Sequence, residues 1–205
     1  MNAVPPAIFI VDDDASFLKA VTRLLRAGGY DARTFTSADE FMKNPLADAP
    51  GCLIVDLHMP GMNGLDLQDS LAKLGNPLPV IFLTGHGDIP TSVHAIRRGA
   101  EDFLTKPVGR EKLFEAVQRA LARSTRERQA HLKNGELRAR YETLTPRERE
   151  VLAHIVTGQL NKQIAADLDT TERTIKAHRA NLTAKLQIQS VAELVRLAQA
   201  LEIQA

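Results

Sequence analysis

The sequence has little of several features that would place it in a specialised class of protein. Its 205 residues contain one cysteine, no tryptophan and 4% aromatic residues. A single cysteine excludes an internal disulfide, and the position of Cys52 in the apolar run CLIVD predicts a buried, inert thiol. No apolar run approaches the roughly 20 residues that span a bilayer. The N-terminal stretch lacks a basic start, so we expect no signal peptide and a soluble cytoplasmic protein.

The small net charge conceals a difference between the two parts of the chain. Residues 1–122 contain 12 basic and 15 acidic residues, a net charge of −3. Residues 123–205 contain 14 basic and 10 acidic residues, a net charge of +4. This asymmetry indicates two domains, and the basic one is the candidate for binding a polyanion.

The first part of the chain alternates short β-rich runs with stretches of helical spacing. The runs IFIV, LIV and VIFL are continuously apolar, as strands buried on both faces of a sheet must be. Five βα repeats in about 120 residues predict a parallel sheet with helices on both faces, because each crossover is right-handed. The predicted strands cover residues 7–11, 32–35, 52–55, 80–83 and, more weakly, 102–104.

A charged segment follows, in which 8 of the 18 residues from 123 to 140 are charged. We interpret it as a solvated helical linker that prolongs the helix beginning near Arg110, with a break at Asn134-Gly135. A dimeric coiled coil is the alternative. Only Leu132 and Leu137 recur there as large apolar residues, which favours the linker.

The last part of the chain has helical spacing throughout. Thr145 to Glu148 reads TPRE, with an N-cap threonine, a proline at the first helical position and the reciprocal glutamate of a capping box. Gly158 is expected to end this helix, and Thr171 and Ser190 to begin the third and fourth. Four short helices in about 60 residues, the middle pair joined by a tight turn, predict a helix-turn-helix unit.

Polar residues follow four of the five predicted strands, where the carboxyl ends of parallel strands form a crevice. Clustered carboxylates repel one another unless a cation lies among them, and an all-oxygen site suits Mg²⁺. With a lysine and a threonine as donors, such a site would stabilise a phosphoryl group during transfer to an aspartate nucleophile. Taken alone, an aspartate after a strand can cap the next helix, as Asp14 is expected to, a threonine can form a turn and a lysine before proline can be an ordinary surface residue. The residues are Asp12 and Asp13 after the first strand, Asp56 after the third, Thr84 after the fourth and Lys106 after the fifth.

The motifs VDDD, VDLHMPGMNG, FLTGHGD and FLTKP resemble, in this order, the signature of response-regulator receiver domains. The resemblance covers residues 6–122 and implies a (βα)5 flavodoxin-like receiver whose Asp56 accepts a phosphoryl group from a sensor histidine kinase. It implies that Asp13, Asp56 and the main-chain carbonyl of His58 bind Mg²⁺ directly, whereas Asp12 acts through water.

The same resemblance assigns the residues that would respond to the phosphoryl group. Thr84 and Lys106 would bind its oxygens, and the Lys106-Pro107 bond would be cis. Phe103 would be the switch aromatic, although an ordinary core ring is the simpler interpretation. We interpret His58 and His86 as exposed loop residues that tune the access of water to the phosphate, because Mg²⁺ prefers oxygen ligands.

The third helix of the last part is basic, as the second helix of a helix-turn-helix must be to enter the major groove. LTPREREVL followed by NKQIAADLDTTERTIKAHRANLTAKL resembles the LuxR/NarL-type four-helix DNA-binding domain over residues 141–203. Together with the receiver, it indicates a NarL-group, FixJ-like regulator. Thr170 departs from the apolar residue usual in the turn. The resemblance implies, from position in the motif, that Lys176, Ala177 and Ala180 face bases. It also implies that Thr174, Arg179 and Lys185 lie nearer the phosphates.

The two resemblances imply a phosphorylation-dependent transcriptional regulator that is not an enzyme. Its domains would be a receiver at 1–122, a linker at 123–140 and a DNA-binding domain at 141–205. Its partners would be promoter DNA, the kinase, RNA polymerase and, on phosphorylation, a second copy, with no membrane contact. One alternative is a Mg²⁺-dependent phosphatase with Asp56 as nucleophile, although His58 stands where such enzymes have a second carboxylate. A degenerate receiver and a quorum-type regulator are further alternatives.

Overall fold

The structure, a computed structural model, describes residues 6–44, 51–75, 78–85, 89–201 and 203, and only the backbone of 89–91. The chain divides into two compact units, Met1–Gln129 and Ala130–Ala205. Among the described residues, no helix combines the length and the apolar character needed to cross a membrane.

A parallel sheet forms the centre of the first unit. Its described strands are β1 (Ala7–Val11), β2 (Asp31–Phe35), β3 (Gly51–Val55), β4 (Val80–Thr84) and β5 (Asp102–Thr105). They lie in the order β2-β1-β3-β4-β5. Every residue of β1, β3 and β4 is buried, which confirms the prediction from the continuously apolar runs. The observed ends differ from the predicted ones by at most one residue.

Helices cover both faces of this sheet, as the right-handed crossovers predict. They are α1 (Ala15–Ala27), α2 (Ala38–Lys43), α3 (Gly64–Lys73), α4 (Ile89–Arg97) and α5 (Arg110–Glu142). One apolar cluster packs α1 and α5 against the sheet through Leu25 and Leu113, and a second packs α2 and α3 through Phe41 and Leu67. Helix α2 was not singled out by spacing, because six residues are too few to show a helical period.

Helix α5 is continuous through Asn134-Gly135, so the predicted break there is wrong. An interior glycine destabilises a helix by only about 1 kcal/mol relative to alanine. Leu137 and Tyr141, on the C-terminal side of the glycine, pack against the core of the second unit, which stabilises that end of the helix. Leu132 is 55% exposed.

In the described residues of the second unit, the last turns of α5 are followed by four short helices, as predicted. The capping box is confirmed, since the Thr145 amide donates to Glu148 Oε2 at 2.8 Å and the Glu148 amide donates to Thr145 Oγ1 at 3.3 Å. Gly158 follows the first of these helices with a φ of +84°, a left-handed conformation that favours glycine. The helices are α6 (Pro146–Val156), α7 (Asn161–Asp167), α8 (Glu172–Leu186) and α9 (Val191–Ala200).

Candidate functional site

Three carboxylates meet at the carboxyl edge of the sheet in the first unit. Asp12 and Asp13 follow β1, Asp56 follows β3, and one oxygen of each lies within 4.8 Å of the others. The side chains of Asp12 and Asp56 are only 2% and 12% exposed, whereas Asp13 is exposed. The Asp56 amide donates to the Val11 carbonyl at 2.9 Å, so the ladder between β1 and β3 sets the spacing of the acids.

Lys106 contributes a positive charge to this cluster. Its Nζ lies 2.5 Å from Asp12 Oδ2 and 3.4 Å from Asp56 Oδ2. The Lys106-Pro107 peptide bond is cis, as the receiver resemblance implies. The Lys106 amide donates to the carbonyl of the buried Thr84 at 2.8 Å, which holds the end of β5 beside β4. The structure therefore brings together the four strand ends that the sequence singled out.

The electrostatics of the cluster favour a bound cation. Burial raises the pKa of Asp12 above its ordinary value, although hydrogen bonds from Lys106 and the Asp14 amide act in the opposite direction. Asp56 Oδ1 is buried and, within the described part of the chain, has no hydrogen-bond partner. Because an ionised carboxylate can only accept, a hard cation with oxygen ligands such as Mg²⁺ fits this donor set.

The structure describes three of the four other residues that the sequence singled out near the strand ends of the first unit, namely Phe103, His58 and Asp14. The ring of Phe103 is half-buried, with its centroid 6.1 Å from that of Phe82. His58 is exposed in the loop after β3, and His86 lies outside the described residues. Asp14 is the N-cap of α1, because its carboxylate accepts from the amides of Ser16 and Phe17, which confirms the capping interpretation.

Sequence reasoning missed one residue next to the acids. Nζ of Lys106 lies 4.1 Å from the ring centroid of Phe17, in the first turn of α1. The sequence shows Phe17 only as one apolar member of an amphipathic helix face. Nothing in the spacing could reveal a contact with a lysine 89 positions later along the chain.

In the second unit, α8 presents an exposed basic surface. Lys176, Ala177 and Ala180 are exposed, as a helix that reads DNA requires, and Thr174 is half-buried. The Lys176 side chain is 66% exposed, and its Nζ lies 3.3 Å from Glu172 Oε1 one turn earlier. A surface pair of this kind contributes little to stability and leaves the lysine available to a partner.

Arg179 and Lys185, the other two predicted DNA contacts, have partners within the second unit. Arg179 donates to Asn161 Oδ1 at 2.9 Å, which links α8 to the start of α7. Lys185 Nζ lies 2.6 Å from Oε2 of Glu148, which is 3% exposed. Burial alone would raise the pKa of Glu148, but hydrogen bonds from Lys185 and Thr145 hold it below its ordinary value.

The comparisons with known proteins match both units. Residues 8–118 match the response regulator receiver domain, and residues 142–198 match the luxR family of bacterial regulatory proteins. Response regulator protein TmoT of Ectopseudomonas mendocina is 44% identical over 202 residues, which cover 98% of this chain and 92% of that protein. Transcriptional regulatory protein FixJ of Bradyrhizobium diazoefficiens is 35% identical over 191 residues, 93% of each chain. The solved structure of response regulator StyR is 39% identical, covers 96% of this chain and 99% of that chain, and has a TM-score of 0.82.

A receiver domain followed by a LuxR-type DNA-binding domain defines a two-component transcriptional regulator. This chain belongs to the response regulators with that architecture, and FixJ is among its relatives. The matched families and relatives give no support to the phosphatase alternative.

Proposed function

We propose that Asp56 accepts a phosphoryl group from a sensor histidine kinase and that the modified protein binds promoter DNA as a dimer. The observation that carries the proposal is the convergence on Asp56 of two further acids and the Lys106 ammonium. A single ion pair would be an ordinary surface feature. A half-buried cluster in which one carboxylate oxygen has no hydrogen-bond partner among the described residues suits phosphoryl transfer.

In the proposed reaction, a carboxylate oxygen of Asp56 attacks the phosphorus atom of the donor. The new O–P bond forms as the bond to the donor breaks, and the leaving group departs with that electron pair. Asp13, Asp56 and the main-chain carbonyl of His58 would hold Mg²⁺ directly and Asp12 would hold it through water, and the ion would neutralise charge on the phosphoryl oxygens. The ammonium of Lys106 and the hydroxyl of Thr84 would donate to the same oxygens.

The phosphoryl group would act by favouring one of two conformations of the receiver. It can do so only if it interacts better with one of them, so the unmodified protein must already populate the active form. We assign Thr84 and Phe103 as the residues that shift, because both belong to the β4–β5 edge next to the phosphoacceptor. Domain boundaries at 1–122, 123–140 and 141–205, cytoplasmic localisation and a contact with RNA polymerase are parts of the same proposal.

For DNA, we propose that Lys176, Ala177 and Ala180 face the bases in the major groove. Thr174 and Arg179 would lie near the phosphates, with Arg179 also linked to α7. A dimer would bind two half-sites. The engagement of Lys185 with Glu148 argues that this lysine acts mainly through packing within the domain.

The test is Mg²⁺-dependent phosphorylation by acetyl phosphate, followed by intact-protein mass spectrometry and by DNA binding to fragments selected from genomic DNA. We expect one phosphoryl group on the wild type and none on Asp56→Asn, together with tighter DNA binding and a larger dimer fraction after phosphorylation. Asp66→Asn, at an exposed aspartate of α3, is the matched control and should behave as the wild type. Equal modification of Asp56→Asn and the wild type would contradict the proposal.

A further inference from the structure

We propose that Phe17 is a positioning residue for Lys106, whose ammonium it holds against the phosphoacceptor carboxylate. The inference rests on the proposed function of Asp56 and names a residue that the phosphoryl chemistry itself does not require. Nζ of Lys106 lies 4.1 Å from the centre of the Phe17 ring, within the range of about 6 Å in which a ring face attracts a cation.

The ammonium lies between two kinds of partner. Asp12 and Asp56 attract it with formal charges at 2.5 Å and 3.4 Å, and the ring of Phe17 attracts it with its quadrupole. A lysine side chain has a long flexible stem and loses much rotamer freedom when it is held in one place. The Lys106 side chain is nevertheless only 19% exposed, and the ring is one of the groups, with the two carboxylates, that replace part of its water shell. Partial removal of water also strengthens the attraction between the ammonium and the carboxylates.

Phe17 is itself fixed relative to the acids. Its amide donates to the carboxylate of Asp14, the N-cap of α1, at 3.1 Å. Asp14 directly follows Asp12 and Asp13, so the ring and two of the acids belong to one short strand-to-helix connection. A movement of Lys106 away from this connection loses its contacts with the ring and with Asp12 together.

A packing role alone would require only an apolar side chain at this position. Phe17→Leu keeps the apolar character and removes the ring, whereas Phe17→Tyr keeps the ring face. Phe114→Leu is the matched control, because Phe114 is half-buried in the same apolar cluster and its ring lies 5.1 Å from the guanidinium carbon of Arg110. That cation belongs to α5 and is not among the residues that converge on Asp56.

The first readout is the rate constant for phosphorylation by acetyl phosphate at fixed Mg²⁺. We expect Phe17→Leu to lower it about fivefold, the effect of losing a partly desolvated cation–ring contact. Phe17→Tyr and Phe114→Leu should stay within about twofold of the wild type, which is less than half a kcal/mol.

The second readout needs neither metal nor phosphorylation. Acetylation of Lys106 by an N-hydroxysuccinimide ester in EDTA is measured by peptide mass spectrometry, with the exposed Lys112 as internal reference. We expect faster acetylation in Phe17→Leu and wild-type acetylation in Phe17→Tyr.

The outcomes separate this inference from the function on which it rests. If the wild type is phosphorylated on Asp56 while Phe17→Leu matches it in both readouts, the positioning role is wrong and the phosphoacceptor stands. If Phe17→Tyr behaves like Phe17→Leu, the ring face is not responsible and the inference is overturned. If the wild type is not phosphorylated at all, the proposed function fails, and the acetylation rates alone decide whether Phe17 holds the lysine.

Discussion

Replacing Lys185 with methionine should mainly lower the free energy of unfolding of the DNA-binding unit. The loss of DNA affinity from a missing lysine contact should be much smaller. Methionine keeps a flexible apolar stem that is one atom shorter and removes the charge. In the structure this charge lies 2.6 Å from a carboxylate oxygen of Glu148, which is 3% exposed. The substitution therefore leaves a buried carboxylate without its cation.

The size of the effect follows from the burial of the two partners. Removing one partner of a fully buried ion pair costs about 3–5 kcal/mol. Lys185 is 36% exposed in its side chain, so water can partly replace it. Glu148 also keeps the amide and hydroxyl of Thr145 as donors. We therefore expect a loss of about 2 kcal/mol, which lowers the melting temperature of a unit of this size by about 10 °C.

Lys176→Met is the matched variant on the same helix. Lys176 is 66% exposed and has a surface ion pair one turn away. Its replacement should change stability by less than about 0.5 kcal/mol. If Lys176 contacts DNA, the slope of log affinity against log salt should fall by up to about one unit.

Stability is measured by hydrogen exchange with mass spectrometry along a urea series, which reports the unfolding of α6 and α8 separately from that of the receiver. DNA affinity is measured at several salt concentrations. Lys185→Met should shift the unfolding of α6 and α8 to lower urea, and Glu148→Gln introduced with it should restore part of the loss. Unchanged unfolding of Lys185→Met, with a loss of DNA affinity as large as that of Lys176→Met, would refute the reasoning.

Two further predictions concern ionic conditions. Mg²⁺ at about 100 times its dissociation constant should stabilise the receiver by about 2.7 kcal/mol in urea unfolding; Asp13→Asn should lose most of this, and an equal gain in that variant would exclude Asp13 as a ligand. Because the pKa of Glu148 is lowered in the folded state, its ionised carboxylate stabilises the second unit at pH values above 4.5, the ordinary pKa of a glutamate. This stabilisation is lost as the pH falls through the lower pKa of the folded state. Hydrogen exchange of α6 and α8 between about pH 6 and pH 3 should therefore show an acid-induced weakening that Glu148→Gln reduces, and an unchanged pH dependence would contradict this.

Much of the fold could be predicted because local signals agree with the global architecture. Runs such as VIFL are apolar at every position only when a strand is covered on both faces, which implies helices on both sides of a parallel sheet. The capping box at Thr145 is a purely local hydrogen-bond pattern, and it fixed the start of α6. The break expected at Gly135 was wrong because one unfavourable residue is outweighed by packing further along the helix.

The grouping of the acids with Lys106 was also predictable, even though Asp12 and Lys106 are 94 positions apart. Parallel strands with right-handed crossovers place all their carboxyl ends at one edge, so residues that follow strands meet whatever their separation along the chain. For this site, the order of strands and helices along the chain therefore determines which residues become neighbours.

Contacts between two helix faces, or between a helix and a loop, could not be predicted from the order of the strands and helices. Spacing shows which residues of α8 are apolar, but it does not show that Lys185 reaches Glu148 or that Arg179 reaches Asn161. The same holds for Phe17 and Lys106. Each of these pairs depends on the separation and rotation of two packed elements, which many side chains fix together. The sequence alone thus determined the two domain types and the residues at the strand ends, whereas tertiary packing decided which cations pair with a buried group of another element, as Lys185 does, and which, like Lys176, have only a surface partner on their own helix.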